Sequence, residues 1–240
     1  MDAADYAPGE GVWSHVAAPA TVDWCEPNYL LTPWVAEPYN TISSLWMVVL
    51  GVWGIAFVGG RRRFRILFGG LALVGVGSAA FHGTLLRPSQ ALDEVPMVLL
   101  GLVAVWAVTL RGRDFHEGRA MAAVMAVFAL GFVGSYALAP AAFALFIAVY
   151  GTLVATLVIQ SVRRTFGAAG DARLRRLFVV GTGAFLGTLA MCWVPEHVLL
   201  GCDHPLQQVP LHAIWHLGAG TGTYAFILWA MHDDARARRP

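Results

Sequence analysis

Lysine is absent from this chain of 240 residues; all 16 basic side chains are arginine. A retinal protein of the rhodopsin type is thereby excluded, because its Schiff base needs a lysine amine. Charge of either sign is scarce. Charged residues make up 13% of the chain, against about 25% in an ordinary soluble domain, and hydrophobic ones make up 58%. So few charged groups cannot cover a water-facing surface, which excludes an ordinary soluble enzyme and a disordered protein. With a formal net charge of +1, no basic domain is available to grip nucleic acid. Cysteine numbers only three, so a disulfide-rich miniprotein is excluded as well.

What the chain has instead is long apolar runs. A bilayer core about 30 Å thick is crossed by about 20 apolar residues of helix. Seven stretches meet that need, at 39–59, 65–86, 92–110, 119–137, 140–162, 174–194 and 209–231. The predicted fold is therefore an all-α membrane protein, a bundle of seven transmembrane helices. It divides into an extramembrane N-terminal tail over 1–38, a membrane domain over 39–232 and a short tail over 233–240. Connections are short, no soluble domain is inserted, and no internal repeat is visible. The N-terminal tail lacks the basic, apolar, small-residue order of a signal peptide, so no cleaved leader is expected.

Arginine placement sets the sidedness. Arg61, Arg62, Arg63 and Arg65 lie between spans one and two, and Arg111, Arg113 and Arg119 between three and four. Arg163, Arg164, Arg173, Arg175 and Arg176 lie between five and six, and Arg236, Arg238 and Arg239 at the C-terminus. With seven spans these fifteen share one side, and only Arg87 falls on the other. The positive-inside rule makes the arginine side cytoplasmic, with the N-terminus in the periplasm, lumen or exterior. Prolines agree with the spans. Pro140 and Pro210 fall in the first turns of spans five and seven, where a missing N–H costs little, and Pro195 is expected to close span six. Gly69, Gly70, Gly75 and Gly77 in span two, and Gly218, Gly220 and Gly222 in span seven, read as close helix packing.

Ionisable residues at membrane depth are expensive and usually functional. Here they gather at the outer end. Ser78 and His82 share one face of span two, Asp93 and Glu94 open span three, and His212 and His216 share one face at the start of span seven. A histidine pair at i and i+4, taken alone, is more often a hydrogen-bonded core pair than a metal site. A third histidine and an aspartate at the same depth turn the reading towards metal. Three protein ligands with a fourth position open are the arrangement of a catalytic zinc, which would activate a water for hydrolysis. Asp93 could orient a histidine or take the water's proton, and Ser78 could donate to an oxyanion. His15, His116, His197, His204 and His232 read as solvated and carry no assigned role. Trp24, Trp34, Trp46, Trp193 and Trp215 read chiefly as an interfacial aromatic belt.

The tail holds a second polar cluster: Asp23, Glu26, Asn28 and Glu37. Hard oxygen ligands at 23, 26 and 28 could wrap a calcium ion, with main-chain carbonyls completing the shell. The spacing is not that of an EF-hand, and by spacing alone a solvated acidic loop is the commoner case. Cys25 in the tail and Cys202 in the last outer loop both face a compartment where disulfides persist. Their pairing would tether the tail over the site, whereas Cys192 reads as a buried thiol.

Four segments of this sequence resemble the alkaline ceramidase family, and through it the wider group of seven-span zinc hydrolases that includes the adiponectin receptors. They are Val22–Tyr29 with Ala36-Glu37 and Asn40-Thr41, then Gly75–Leu85, then Gln90–Met97, and then His212-Ala213-Ile214-Trp215-His216. They occur in the family's order across nearly the whole membrane domain. The resemblance implies zinc on His82, His212 and His216, with Ser78 and Asp93 as the catalytic residues beside it. It implies calcium on Asp23, Glu26, Asn28 and Glu37 and on the main-chain carbonyl of Trp24. It also implies a disulfide between Cys25 and Cys202. Pro38 departs from the family's usual aromatic residue after the glutamate, which bears on how the tail enters span one.

The function so implied is zinc-dependent cleavage of the N-acyl bond of ceramide within the membrane, giving a sphingoid base and a fatty acid. The expected partners are ceramide or a related N-acyl lipid and the bilayer, with no nucleic acid and no obligatory protein partner. The expected location is a bacterial inner membrane, or an endoplasmic reticulum or Golgi membrane in a eukaryote. Two rivals stand beside this reading. One is a receptor-like seven-span protein with structural zinc, against which the short inner loops argue. The other is a hydrolase of a different membrane lipid.

Overall fold

A computed structural model describes residues 9–139, 141–167 and 171–238. Among these residues the chain is helical and holds no β-strand, only an isolated bridge between Pro19 and Leu86. The α-helices are α1 (Pro38–Phe57), α2 (Arg62–Thr84), α3 (Arg87–Thr109), α4 (Arg119–Leu138), α5 (Ala142–Phe166), α6 (Ala172–Thr188) and α7 (Leu211–Ala237). Beyond Thr188, α6 continues through two wide turns, Leu189–Trp193 and Pro195–Leu199. Six helices, α1 to α5 and the continuous Ala172–Leu199, are long and apolar enough to cross a membrane. At 27 residues α7 is longer than any of α1 to α5. His212, His216 and the Gly and Thr residues between 218 and 223 dilute its apolar character. That dilution is the signature of a helix that faces other helices.

The boundaries depart from the sequence reading in two informative places. First, α3 starts at Arg87, with Pro88 in its first turn, where the absent N–H would have had no partner. Asp93 and Glu94 therefore lie inside the helix, nearly two turns from its start, instead of opening it. Second, Pro195 does not close span six. The wider i→i+5 pattern that begins at Leu189 carries on past Pro195, whose missing N–H leaves a gap in the ladder, and ends with the Leu200 N–H on the Pro195 carbonyl at 2.8 Å. The helix gains about a further turn, and Glu196 and His197 belong to it. Pro140 and Arg239 lie outside the described residues.

Helix α2 is the hub of the bundle. Its Phe64, Leu67, Phe68 and Leu71 are almost fully buried against Trp106 and Ala107 of α3, Ile227 and Trp229 of α7, and Leu174 of α6. The α4–α5 pair packs on α3 through a separate cluster around Val98, Phe132, Tyr136 and Phe146. Glycines set the close approaches expected of them. A Cβ on Gly75 would meet α1 backbone at 2.8 Å, and one on Gly77 would meet the Leu92 carbonyl of α3 at 1.9 Å. Gly69 is different, with its nearest such neighbour at 3.9 Å.

The two ends of the bundle carry different chemistry. At one end the last turns of α7 carry Asp233 and Asp234, both buried. Arg63 pairs with Asp234 and donates to the Leu110 carbonyl at 2.9 Å. Arg111 and Arg164 reach Asp233 at 2.9 and 3.3 Å. His232, read from sequence as solvated, pairs with Asp171 at 2.7 Å. These ion pairs bind α2, α5, α6 and α7 together at the arginine end. The other end holds the histidines.

Candidate metal centre

His82 is in the last turn of α2, and His212 and His216 are in the first two turns of α7. The close packing of those helices brings the three rings to centroid separations of 4.6 to 5.0 Å. All three are buried, and one nitrogen from each can lie within 4.8 Å of the others. The group can hold a metal ion. His82 and His216 are also held from behind. His82 Nδ1 lies 2.5 Å from Glu37 Oε2, which leaves its buried Nε2 without a protein partner and free to ligate. His216 Nδ1 lies 2.9 Å from Ser43 Oγ and 3.3 Å from Ser44 Oγ. His212 stacks on the Trp24 ring at 3.6 Å, and its Nδ1 is 3.8 Å from Glu196 Oε2. Metal-bound histidines characteristically present such a second nitrogen to a fixed acceptor.

Ser78 and Asp93 meet beside this group. Both line one cavity with His212 and His216, and Ser44 Oγ donates to Ser78 Oγ at 3.0 Å. The two carboxylates on α3 are thus differently employed. Glu94 accepts from Gln90 at 2.7 Å and from the Tyr136 hydroxyl at 2.8 Å. Asp93 keeps an open edge on a cavity of about 300 Å³, which His212, His216 and Ser78 also line. A second, apolar cavity of about 100 Å³ shares the walls Met97, Leu100, Tyr150, Val154, Phe185 and Thr223 and leads down to Trp229. Along α3, the eleven steps from Asp93 to Ala104 span about 16 Å. Polar groups thus sit at the head of a long apolar space.

The tail lies across this head. Glu37 Oε1 accepts the Trp24 N–H at 3.2 Å while its Oε2 faces His82. Glu26 accepts the N–H groups of Tyr39 and Asn40 at 2.7 and 2.9 Å, which caps the start of α1. Pro38 fits as the first helical residue, since its missing N–H is one that α1 does not need. Asn28 donates to Asp23 at 3.0 Å and leaves its buried Oδ1 without a partner. Asp23 sits at an exposed rim, yet partial burial of its carboxyl and the neighbouring Glu37 push its pKa up to about 6. Burial pushes Glu37 up to about 7 and raises Glu26. Crowded carboxylates and an orphaned amide oxygen form a donor set suited to a hard cation. Cys25 is bridged to Cys202, and Cys192 is a buried free thiol.

Several side chains do more than the sequence suggests. Trp24 and Trp215 are buried instead of belonging to an interfacial belt. His197 is packed among Trp24, Trp193 and Phe143. Glu196 and the serines at 43 and 44 receive no role from spacing, because one stands after a proline and the others read as polar residues at a span's start. The signal that could have found the serines is their i, i+3 and i+4 relation to Asn40 on the face of α1 that meets His216.

The family model Ceramidase matches residues 17–240. Alkaline ceramidase 3 of Mus musculus is 29% identical over 243 residues, covering 93% of this chain and 86% of that protein. Alkaline ceramidase of Arabidopsis thaliana is 26% identical over 235 residues, covering 94% and 88%. Alkaline ceramidase of Drosophila melanogaster is 23% identical over 243 residues, covering 95% and 84%. The chain belongs to the ceramidase family.

Proposed function

We propose that this member of the ceramidase family is a zinc-dependent intramembrane amidase that cleaves the N-acyl bond of ceramide. The observation that carries the reading is the convergence of three buried histidines and Asp93 at the polar head of a long apolar cavity. A ceramide has that shape, with a small polar head bearing the amide and two long chains. His82, His212 and His216 would hold the zinc. Bound there, zinc supplies a water that is activated near neutral pH and a Lewis acid for the amide carbonyl. Asp93 takes a proton at its open carboxylate edge and passes it to the leaving amine. Ser78 offers its hydroxyl to the oxygen on which negative charge develops. Glu37 and the serines keep the histidine rings fixed, and the apolar walls down to Trp229 hold a chain and exclude water.

The rest of the reading concerns placement. α7 serves as the seventh span, because burial among other helices tolerates its polar residues. The arginine end faces the cytoplasm, and the tail with its disulfide faces the periplasm, lumen or exterior. Asp23, Glu26, Asn28, Glu37 and the Trp24 carbonyl would hold calcium, which fixes the tail over the site.

The test uses the full chain purified in detergent. Zinc and calcium per chain are measured, and fatty acid release is followed from ceramides of defined acyl length. Release from at least one ceramide is expected, with loss of both zinc and activity in His82→Ala. A zinc-loaded protein that cleaves no ceramide would refute the amidase reading. Full activity in His82→Ala would refute the metal reading.

A further inference from the structure

Glu196 is a buried carboxylate of the outer end to which the proposed chemistry gives no work. It lies in the second wide turn after α6 and is 6% exposed. Its Oε1 accepts the Cys25 N–H at 3.1 Å. Its Oε2 has no partner, His212 Nδ1 has none either, and the two face each other across 3.8 Å. Buried polar atoms are very rarely left unpaired. An orphaned ring nitrogen and an orphaned carboxylate oxygen at this separation are one small side-chain adjustment from a hydrogen bond. The wide turn contributes to the encounter. Each extra residue rotates the remainder of the helix by about 100°, so the wide turns from Leu189 onward set the direction of Glu196.

The other two histidines define what is missing. Glu37 stands 2.5 Å behind His82, and Ser43 stands 2.9 Å behind His216. Among the described contacts of His212, the only polar group behind the ring is Glu196; the rest is the Trp24 face. We propose that Glu196 is a positioning residue for His212. It accepts the Nδ1–H, fixes the tautomer that turns Nε2 towards the other two histidines, and through the Cys25 N–H ties the disulfide-closed tail to the same ring. The proposal rests on the reading of the three histidines as a metal site, and not on which lipid is cleaved.

Glutamine separates the two jobs of this side chain. Its amide oxygen still accepts the Cys25 N–H, but its NH2 cannot accept a proton from Nδ1. The experiment strips the full-length protein of metal in detergent and titrates zinc against a chromogenic chelator. Melting of the metal-free protein and the Cys25–Cys202 bridge, by mass before and after reduction, are read alongside. Glu196→Gln is expected to keep the bridge and the metal-free melting temperature while zinc affinity falls about 10–100-fold. Glu196→Asp, which keeps a carboxylate, is expected to lose less affinity than Glu196→Gln. Wild-type zinc affinity in Glu196→Gln, or the reverse order of Asp and Gln, would overturn the proposal. A wild-type protein that takes up no zinc would overturn it together with the metal reading. Normal zinc uptake without ceramide cleavage would strike the amidase reading alone.

Discussion

Gly77→Ala places one methyl group where α2 and α3 touch, directly beside Ser78 and Asp93. The new Cβ would lie 1.9 Å from the Leu92 carbonyl oxygen, 2.6 Å from its carbon and 3.1 Å from the Asp93 nitrogen. An ordinary carbon–oxygen contact is about 3.3–3.6 Å, so the helices must separate by about 1.5 Å at this point. All three neighbours are backbone atoms, and no rotamer change relieves them. The separation falls where Ser78 and Asp93 face the same cavity. A misplacement of about 1 Å in a catalytic group costs about 10²-fold in rate, and overpacking costs about 1–3 kcal/mol of stability. His82 lies more than a turn further along α2 and the other two histidines lie on α7, so a shift taken up by α3 should leave zinc per chain unchanged. The control is Gly69→Ala on the same helix, whose Cβ would find its nearest such neighbour at 3.9 Å. The assay measures kcat for fatty acid release, zinc per chain and melting temperature for both variants. The expected outcome is a kcat loss of about two orders of magnitude in Gly77→Ala with zinc retained, and wild-type behaviour in Gly69→Ala. Wild-type kcat in Gly77→Ala, or a loss that tracks loss of zinc, would refute the reasoning.

Asp93→Asn keeps the size of the side chain but removes its capacity to carry a proton, so turnover should fall about 10²–10⁴-fold with zinc unchanged; normal turnover would take Asp93 out of the chemistry. In calcium-free protein, Asp23 at about 6 and Glu37 at about 7 lie above their usual values of 3.8 and 4.5. The folded state therefore holds more protons than the unfolded chain between those limits, and calcium-free stability should fall as pH rises from about 4 to about 7. Calcium needs the deprotonated forms, so added calcium should reverse the trend and bind more tightly towards pH 7 and above; melting curves that stay parallel across this range would refute it. Trp229 forms the floor of the apolar space and donates to Thr165 Oγ1 at 3.0 Å. Trp229→Phe should shift hydrolysis towards longer acyl chains for about 1 kcal/mol of lost stability, and an unchanged chain-length profile would show that the floor lies elsewhere.

Periodicity and charge made much of the molecule legible. The arginines mark one end of every hairpin because a guanidinium has nowhere to go inside an apolar bundle. The i, i+4 pair at His212 and His216 is visible because helical spacing is regular, and His82 joins it once the two ends are told apart. The contacts behind the histidines were not legible, because they depend on how different segments meet. Glu196 stands one residue after a proline, and a proline in sequence reads as a helix end. Here the chain carries on through a π turn and points the carboxylate inward. Glu37 was visible as an acidic tail residue, but its second oxygen on His82 depends on the fold of the tail. His197 looked solvated because it follows an apolar run, yet the crossing tail supplies Trp24 to cover it.

Glu37 has the most consequential position in this arrangement. One oxygen accepts the Trp24 N–H and the other faces His82. Asn40 donates to that second oxygen at 3.1 Å, and Glu26 holds Asn40 through its main-chain N–H. Tail, helix start and histidine are therefore joined through one carboxyl. Without a neighbouring cation, Glu37 titrates near 7 because burial disfavours its charge, and a protonated carboxyl is a poorer acceptor for a histidine N–H than a carboxylate. A cation among Asp23, Glu26, Asn28 and Glu37 would hold the carboxylate form and so strengthen the bond that orients His82. On this argument a cation in the tail and a metal at the histidines would be coupled through a single side chain, the held carboxylate favouring joint occupancy and the direct repulsion of the two positive charges opposing it.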